Sequence, residues 1–467
     1  MAEAEAVLSI PELQEAINAF FLLVMGSMVF MMQTGFAFLC AGLIQHKNVV
    51  NILIKNLLDA CVGATFYWLI GYAFAYGDDF NGFIGNSKFA LEMDPSEYAS
   101  WFFQFTFCAT AATIVSGALA ERVNFYAYIC YCIALTGFIY PITTHWAWTA
   151  EGFLTIWGYV DFAGSGLVHC VGGMAALCGV IVLGPRTGRF EKETTASGRR
   201  RVKVNQFPRH SVPFVILGTF ILFFGFLAFN GGSQLAVAMP DDANVVLQAT
   251  INTVIAGASG CIFSLFFSAS LTHFHHYSLI NAACGCLGGM VAICASANEV
   301  ESWAAFIIGA VGGIWTLVVS MLMLWFGLDD PVDAVAVHLG AGIWGVIAAG
   351  LFRPEVGVFR GGKGDEPGSL GWQIVGLLVI IAWVGGTCFS LFFVLKLVGI
   401  LRVKPELEEE GLDMAKHGEP AYDMEPSFYQ TSSHRNKSNP NFHATAAGAN
   451  AAATPTHPAT PAEGSAV

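Results

Sequence analysis

Two short stretches hold the residues that could do chemistry. "DFAGSGLVHCVGG" begins at Asp161, and "DPVDAVAVHLGAG" begins at Asp330. Each places a Val-His pair about two helical turns after the Asp, and a Gly one turn after the His. The two His residues, His169 and His338, lie inside apolar runs. An ionisable side chain there is costly and is kept where it meets a partner or lines a polar path. A neutral imidazole donates at one ring nitrogen and accepts at the other. Two imidazoles together can relay a proton. A lone intramembrane His is as well explained as a helix-to-helix hydrogen-bond donor. Two at matching places favour the shared path.

The surrounding chain must position them inside a membrane. Its 467 residues are 55% hydrophobic and 12% charged, with a mean hydropathy of +0.60. Soluble domains carry about 25% charged residues, so this chain lacks the polar side chains to cover a soluble core. The 51 Gly suit helices that pack closely in lipid. The formal net charge of -13 mixes two membrane faces and a tail. Lys and Arg gather in one loop rather than along a groove, which excludes a nucleic-acid partner. The 12 Cys sit in or beside apolar runs and read as packing residues rather than disulfides. No nucleophile–base pair, metal cluster or phosphate loop is present in the pattern. Enzyme chemistry, cofactors and metals are therefore not expected.

A spanning helix needs about 20 mostly apolar residues. Such runs fall near 18–44, 56–76, 101–120, 124–147, 161–184, 211–233, 246–270, 278–297, 302–327, 334–352 and 371–400. The expected fold is all-α, a polytopic membrane protein with about eleven transmembrane helices. The acidic N-terminus has no basic n-region, so no signal peptide is expected. Loop 185–210 is rich in Lys and Arg, and Lys47, Lys55, Arg122, Arg402 and Lys404 are expected in loops or tail on the same side. The positive-inside rule makes that side cytoplasmic.

The two His stretches also belong to a larger repeat. "GFAFLCAG" from Gly35 in the first span echoes "GFLAFNGG" from Gly225 in the sixth. Spans one to five thus match spans six to ten, and an odd number of spans per copy makes the second copy inverted. Inverted repeats place the substrate path at their interface. The expected organisation is an extracellular N-terminus (1–17), a first five-helix repeat (18–184) and a basic cytoplasmic loop (185–210). The second, inverted five-helix repeat (211–352), an extracellular loop (353–370) and the eleventh helix (371–400) follow. A cytoplasmic regulatory segment (401–429) and a disordered tail (430–467) complete it; the sequon at Asn436 lies on the wrong side to be used.

The chain resembles an ammonium transporter of the Amt branch of the Amt/Rh family, similar to the eukaryotic Amt-1 group, over about 18–425. The blocks that carry the resemblance are "DFAGSGLVHCVGGMAAL", "FQFTFCATAATIVSGALAERVNF", "FLAFNGGS", "DDPVDAVAVHLGAGIWG" and "GLDMAKHGEPAY". It implies a plasma-membrane, multi-pass channel for ammonium or ammonia, with methylammonium as analogue, working in the lipid bilayer as a homotrimer with one pore per subunit. It implies an outer ammonium site at Phe107, Trp148 and Ser233. Phe107 and Phe229 would form a gate below it, with Phe103 close by, and His169 and His338 would line the pore. Asp161 would be a charge near the site that also caps the fifth helix. Ammonium would lose its proton at the aromatic site and ammonia would pass the His pair. Plant members place a phosphorylatable Thr where this chain has Ala415. A Rh-type ammonia gas channel and an ammonium transceptor are the alternatives. Rh members lack the Trp and Ser that stand here as Trp148 and Ser233.

Overall fold

The computed structural model describes residues 9–194 and 200–422. Its long elements are α1 (Ile10–Leu43), α2 (His46–Tyr76), α3 (Pro95–Ala118), α4 (Phe125–Trp157), α5 (Ser165–Leu183) and α6 (Val212–Gly232). They continue as α7 (Pro240–Ser270), α8 (Leu279–Ile293), α9 (Ser302–Trp325), α10 (Val335–Phe352) and α11 (Leu370–Leu397). Among the described residues, ten are long and apolar enough to cross a membrane, and α8 is a shorter apolar helix beside them. The polytopic all-α architecture is thus present. Short hairpins interrupt it: β1 (Asp79–Phe80) pairs with β2 (Ile84–Gly85), and β3 (Phe190–Thr194) pairs with β4 (Arg200–Val204).

Helix starts depart from the hydropathy windows where a cap (α1) or buried polar residues (α2) break the link between helix and apolarity. α1 begins at Ile10, well before residue 18, because Ser9 and Glu12 form a reciprocal capping box with Pro at the helix start. α2 begins at His46, nearly three turns before residue 56. Lys55 is therefore no loop charge: it is a fully buried residue inside the helix. Within basic loop 185–210, Arg186 and Arg189 are buried and face Asp329, while Lys192, Lys203 and Arg209 are exposed.

The repeat has a physical reason at the α1–α6 crossing. A Cβ on Gly35 would lie 2.7 Å from Leu222 Cγ, and a Cβ on Gly225 would collide with Met32. The equivalent glycines of the two copies thus each admit a side chain of the other, and the helices approach closely in the manner small residues allow. A second close sheaf forms among α7, α8 and α9, where Gly260, Gly289 and Gly309 meet.

Beyond α11 the chain turns back along the basic face as α12 (Pro405–Glu410) and a single wide turn at Asp413–His417. Asp413 accepts from the N–H groups of Val50 and Asn51 at the start of α2, at 3.1 and 2.9 Å. Burial, the largest influence, raises the Asp413 carboxyl above its ordinary value despite those bonds. The expected tail 430–467, its Thr-Ser-Ser run at 431–433 and the sequon at Asn436 lie outside the described residues.

Candidate functional site: a paired-histidine path

Each His sits in a locally widened helical turn with i→i+5 bonding: Ser165–Cys170 leads into the rest of α5, and Val335–Gly340 into the rest of α10. Such turns recur at functional sites because they displace one residue from the regular ladder. The same distortion occurs at the same place in both copies. An Asp fixes each turn. Asp161 accepts from the N–H groups of Gly164, Ser165, Gly166 and Leu167 at 3.1, 2.9, 2.8 and 2.9 Å. Asp330 accepts from Val332 and Val335 at 3.1 and 2.8 Å. Both carboxylates do what an N-cap does, satisfying the donors that a helix start leaves open.

The two turns bring the imidazoles together. His169 Nδ1 and His338 Nδ1 lie 3.1 Å apart, and the rings stack at 5.3 Å between centroids with 19° between planes. His169 is fully buried and its Nε2 has no protein partner. The repeat glycines allow the approach. Gly173, one turn after His169, packs on the Leu339 backbone; a Cβ on Gly342, one turn after His338, would lie 2.8 Å from Cys170 Sγ. Each thus presses on the residue that follows the other His.

Aromatic rings continue the line toward the N-terminal face. Phe229 of α6 is 5.3 Å from the His169 ring and stacks on Phe107 of α3 at 4.0 Å and 19°. Phe103 follows at 4.8 Å from Phe107. Trp148 meets Phe107 edge-on at 5.9 Å, and its indole N–H donates to Asp161 O at 2.7 Å. Ser233, at the end of α6, donates its hydroxyl to Phe229 O at 2.7 Å, leaving the oxygen lone pairs to accept. Asp161 spends its oxygens on backbone and on Tyr159 OH at 3.2 Å. It reaches the site through Trp148, not by facing the aromatic path.

Two lining rings carry no sequence expectation. Phe226, one turn before Phe229, lies 5.6 Å from His169, and Phe36 lies 5.9 Å from His338. The i, i+3 spacing of Phe226 and Phe229 was the available signal. On the basic side of His338 a cavity opens, walled by Phe36, Leu39, Cys40, Thr113, Leu287 and Val337 among others. Beyond it an ionic cluster locks the loops. Arg186 Nε and Nη2 donate to Asp329 at 2.7 and 2.8 Å, and Nη1 pairs with Glu121. Arg122 Nη2 donates to Asp329 O at 2.5 Å. Among the described residues, no group of three or more His, Cys, Asp or Glu is placed to hold a metal.

A profile described as the Ammonium Transporter Family matches residues 19–422, which encloses every residue of this path. The chain belongs to that family. The path's residues are therefore those of an ammonium-transporter-family chain, and relatives extend the match along nearly its full length. A putative ammonium transporter 1 of Caenorhabditis elegans is 43% identical over 88% of this chain and 79% of its own. Ammonium transporter 1 member 3 of Solanum lycopersicum is 41% identical over 88% and 94%. Among solved structures, one titled "Sensor Amt Protein" is similar with a TM-score of 0.79 at 33% identity, covering 87% of this chain and 99% of its own. Mep2 of Candida albicans shares the fold at a TM-score of 0.75 and 23% identity, covering 85% and 89%.

Proposed function

We propose that this chain moves ammonium or ammonia across a membrane along the line Trp148–Phe107–Phe229–His169–His338. The contact between the two imidazoles at the centre of an inverted repeat carries the reading. Trp148, Phe107 and Ser233 form the recruiting site: an aromatic face attracts a cation by up to about 2 kcal/mol when water is partly removed, and Ser233 accepts an N–H. Stacked Phe107 and Phe229 close the path below it, with Phe103 beside them, so a hydrated ion does not pass as such. The ammonium proton given up there is taken on by the ring nitrogens of the His pair. Neutral ammonia then meets His169 and His338, whose ring nitrogens can donate to it and accept from it. Asp161 holds Trp148 and the His169 turn in place.

The same reading includes an extracellular N-terminus, a cytoplasmic tail, residence in the plasma membrane, the domain boundaries set out above and a homotrimer with one pore per subunit. The gathering of Lys and Arg on one face supports the orientation. The test is uptake of methylammonium, and growth on low ammonium, in a yeast strain without its own transporters. Growth and saturable uptake are expected. A surface-exposed protein that supports neither removes the transport reading and leaves the transceptor. That second reading is favoured by the docking of Asp413 and His417 on the start of α2, where Asn51 Nδ2 lies 2.8 Å from His417 Nε2.

A further inference from the structure

α2 carries an inverted pattern: its buried stripe is polar. Asn51, Lys55 and Asp59 follow one another at single-turn spacing, Asn48 and Asn56 flank them, and all five are buried. Asp59 differs from the other buried carboxylates. Asp161, Asp329 and Asp413 bond through both oxygens, as does half-buried Asp330. Neither Asp59 oxygen has a partner in good hydrogen-bond geometry. Tyr128, Cys132 and Thr113 approach it, and the Cys132 thiol is the weak donor left to it. The Tyr128 hydroxyl donates to Lys55 O at 2.8 Å, and the Thr113 hydroxyl has Gln33 Oε1 at 2.7 Å and Ala109 O at 2.8 Å as acceptors. Gln33 Nε2 and Asn56 Nδ2 are likewise buried and unpaired. Two orphan donors and two orphan acceptors in one region suit bound water, which buried polar groups of this kind recruit. A carboxylate placed only for packing would be satisfied or replaced by an apolar residue.

The cluster adjoins the path. Thr113 and Cys40 form part of the wall of the cavity that His338 also lines, and Cys40 lies beside Asn56. At the other end Lys55 Nζ donates to Val123 O at 3.2 Å, one turn from the Asn51–His417 contact on the basic face. We propose that Asp59 is the proton acceptor on the cytoplasmic half of the pore, with Lys55 as the exit. This rests on the transport reading above. The proton leaves a ring nitrogen of His338, crosses the cavity on water and bonds to an Asp59 oxygen. Lys55 gives one ammonium proton to the cytoplasmic surface and takes the Asp59 proton in its place. Ammonia leaves by the cavity itself, so proton and ammonia part below His338.

The experiment is reconstitution of the full chain in liposomes, reading ammonium-evoked current and labelled methylammonium flux in the same preparation. Asp59→Asn lowers the current about a hundredfold or more, the scale of a lost proton-transfer group, while flux falls less. Asp59→Glu recovers the current, and Lys55→Met lowers it in the same direction as Asp59→Asn. If Asp59→Asn fails to insert, Lys55→Met and Asp59→Glu carry the same comparison. Wild-type current in Asp59→Asn or Lys55→Met overturns the proposal. So does a wild type with flux but no current, which leaves transport standing. A wild type with neither overturns the transport reading itself.

Discussion

His169 Nδ1 and His338 Nδ1 face each other at 3.1 Å, so one ring must donate and the other accept. In a neutral pair, the donor ring has a bare Nε2 and the acceptor ring carries its proton on Nε2. The pair therefore has a direction that reverses when the donor ring takes up a proton at its bare Nε2, the Nδ1 proton crosses the contact and the acceptor ring releases its Nε2 proton, which is the property a relay needs. Removing one ring leaves the other buried and unpaired, at about 1–3 kcal/mol. His169→Ala and His338→Ala are expected to reduce or abolish proton-coupled transport and to admit potassium. The double change is expected to be little worse than either single one, because the two act as a unit. Uptake and current per surface protein, for both singles and the double, check this.

Trp148→Leu removes the aromatic face and leaves the Asp161 carbonyl without its donor. Apparent KM for ammonium is expected to rise about tenfold, the factor given by about 1.4 kcal/mol of cation–π attraction. The maximal rate per surface protein should fall less. A concentration series of methylammonium uptake reads both, and unchanged affinity removes Trp148 from the recruiting site.

Gly173→Ala and Gly342→Ala test why the repeat ends in glycine. Each added methyl meets the backbone or side chain next to the other His. Overpacking of this kind costs about 1–3 kcal/mol. Both variants are expected to lower the melting temperature in detergent and to impair transport beyond the loss of folded protein. Gly371→Ala, where an added Cβ meets nothing, is the control and should match wild type.

Asp329 sets a pH expectation. Burial alone would raise its carboxyl, but the Arg186 hydrogen bonds and the charges of Arg186 and Arg122 outweigh burial and hold it well below the usual carboxylate range. A folded value lowered below the unfolded one, about 3.9, gives stability that is present above the unfolded value and lost as pH falls through the folded one. Its contribution should therefore stay constant from neutral pH down to about 5. Asp329→Asn, which leaves Arg186 with Glu121 as its remaining carboxylate and takes the Asp329 charge from Arg189, should lower stability. Melting curves of wild type and variant across that range check the sign. A wild-type loss between neutral pH and about 5 that the variant lacks would contradict it.

The central pair was legible because the sequence repeats it: Asp161 with His169 and Asp330 with His338 share spacing, and the odd count of spans inverts one copy. The echo at Gly35 and Gly225 was visible, but its cause was not, since only packing shows each glycine admitting the other copy's side chain. The helix start at Ile10 was missed because a hydropathy window ignores caps, and the start at His46 because Asn48, Asn51, Lys55 and Asn56 lower the apolar count of early α2. Lys55 was read as a loop charge for the same reason. The Arg186–Asp329–Glu121 cluster joins three loops far apart in the chain, and no local period announces such a contact.

Orientation is checked separately by a protease site placed within 190–200. It should be cut only from the cytoplasmic side, and cutting from outside intact cells would reverse the membrane orientation proposed for the chain.

The His pair as a transport path is tested by one comparison in oocytes. Ammonium-evoked current and methylammonium uptake are recorded for wild type and His169→Ala at equal surface protein, with potassium as the competing cation. The expected result is saturable ammonium current with potassium excluded in wild type, and loss of the current or entry of potassium in His169→Ala. Wild-type rate and selectivity in His169→Ala would make the two imidazoles a packing contact and contradict the path.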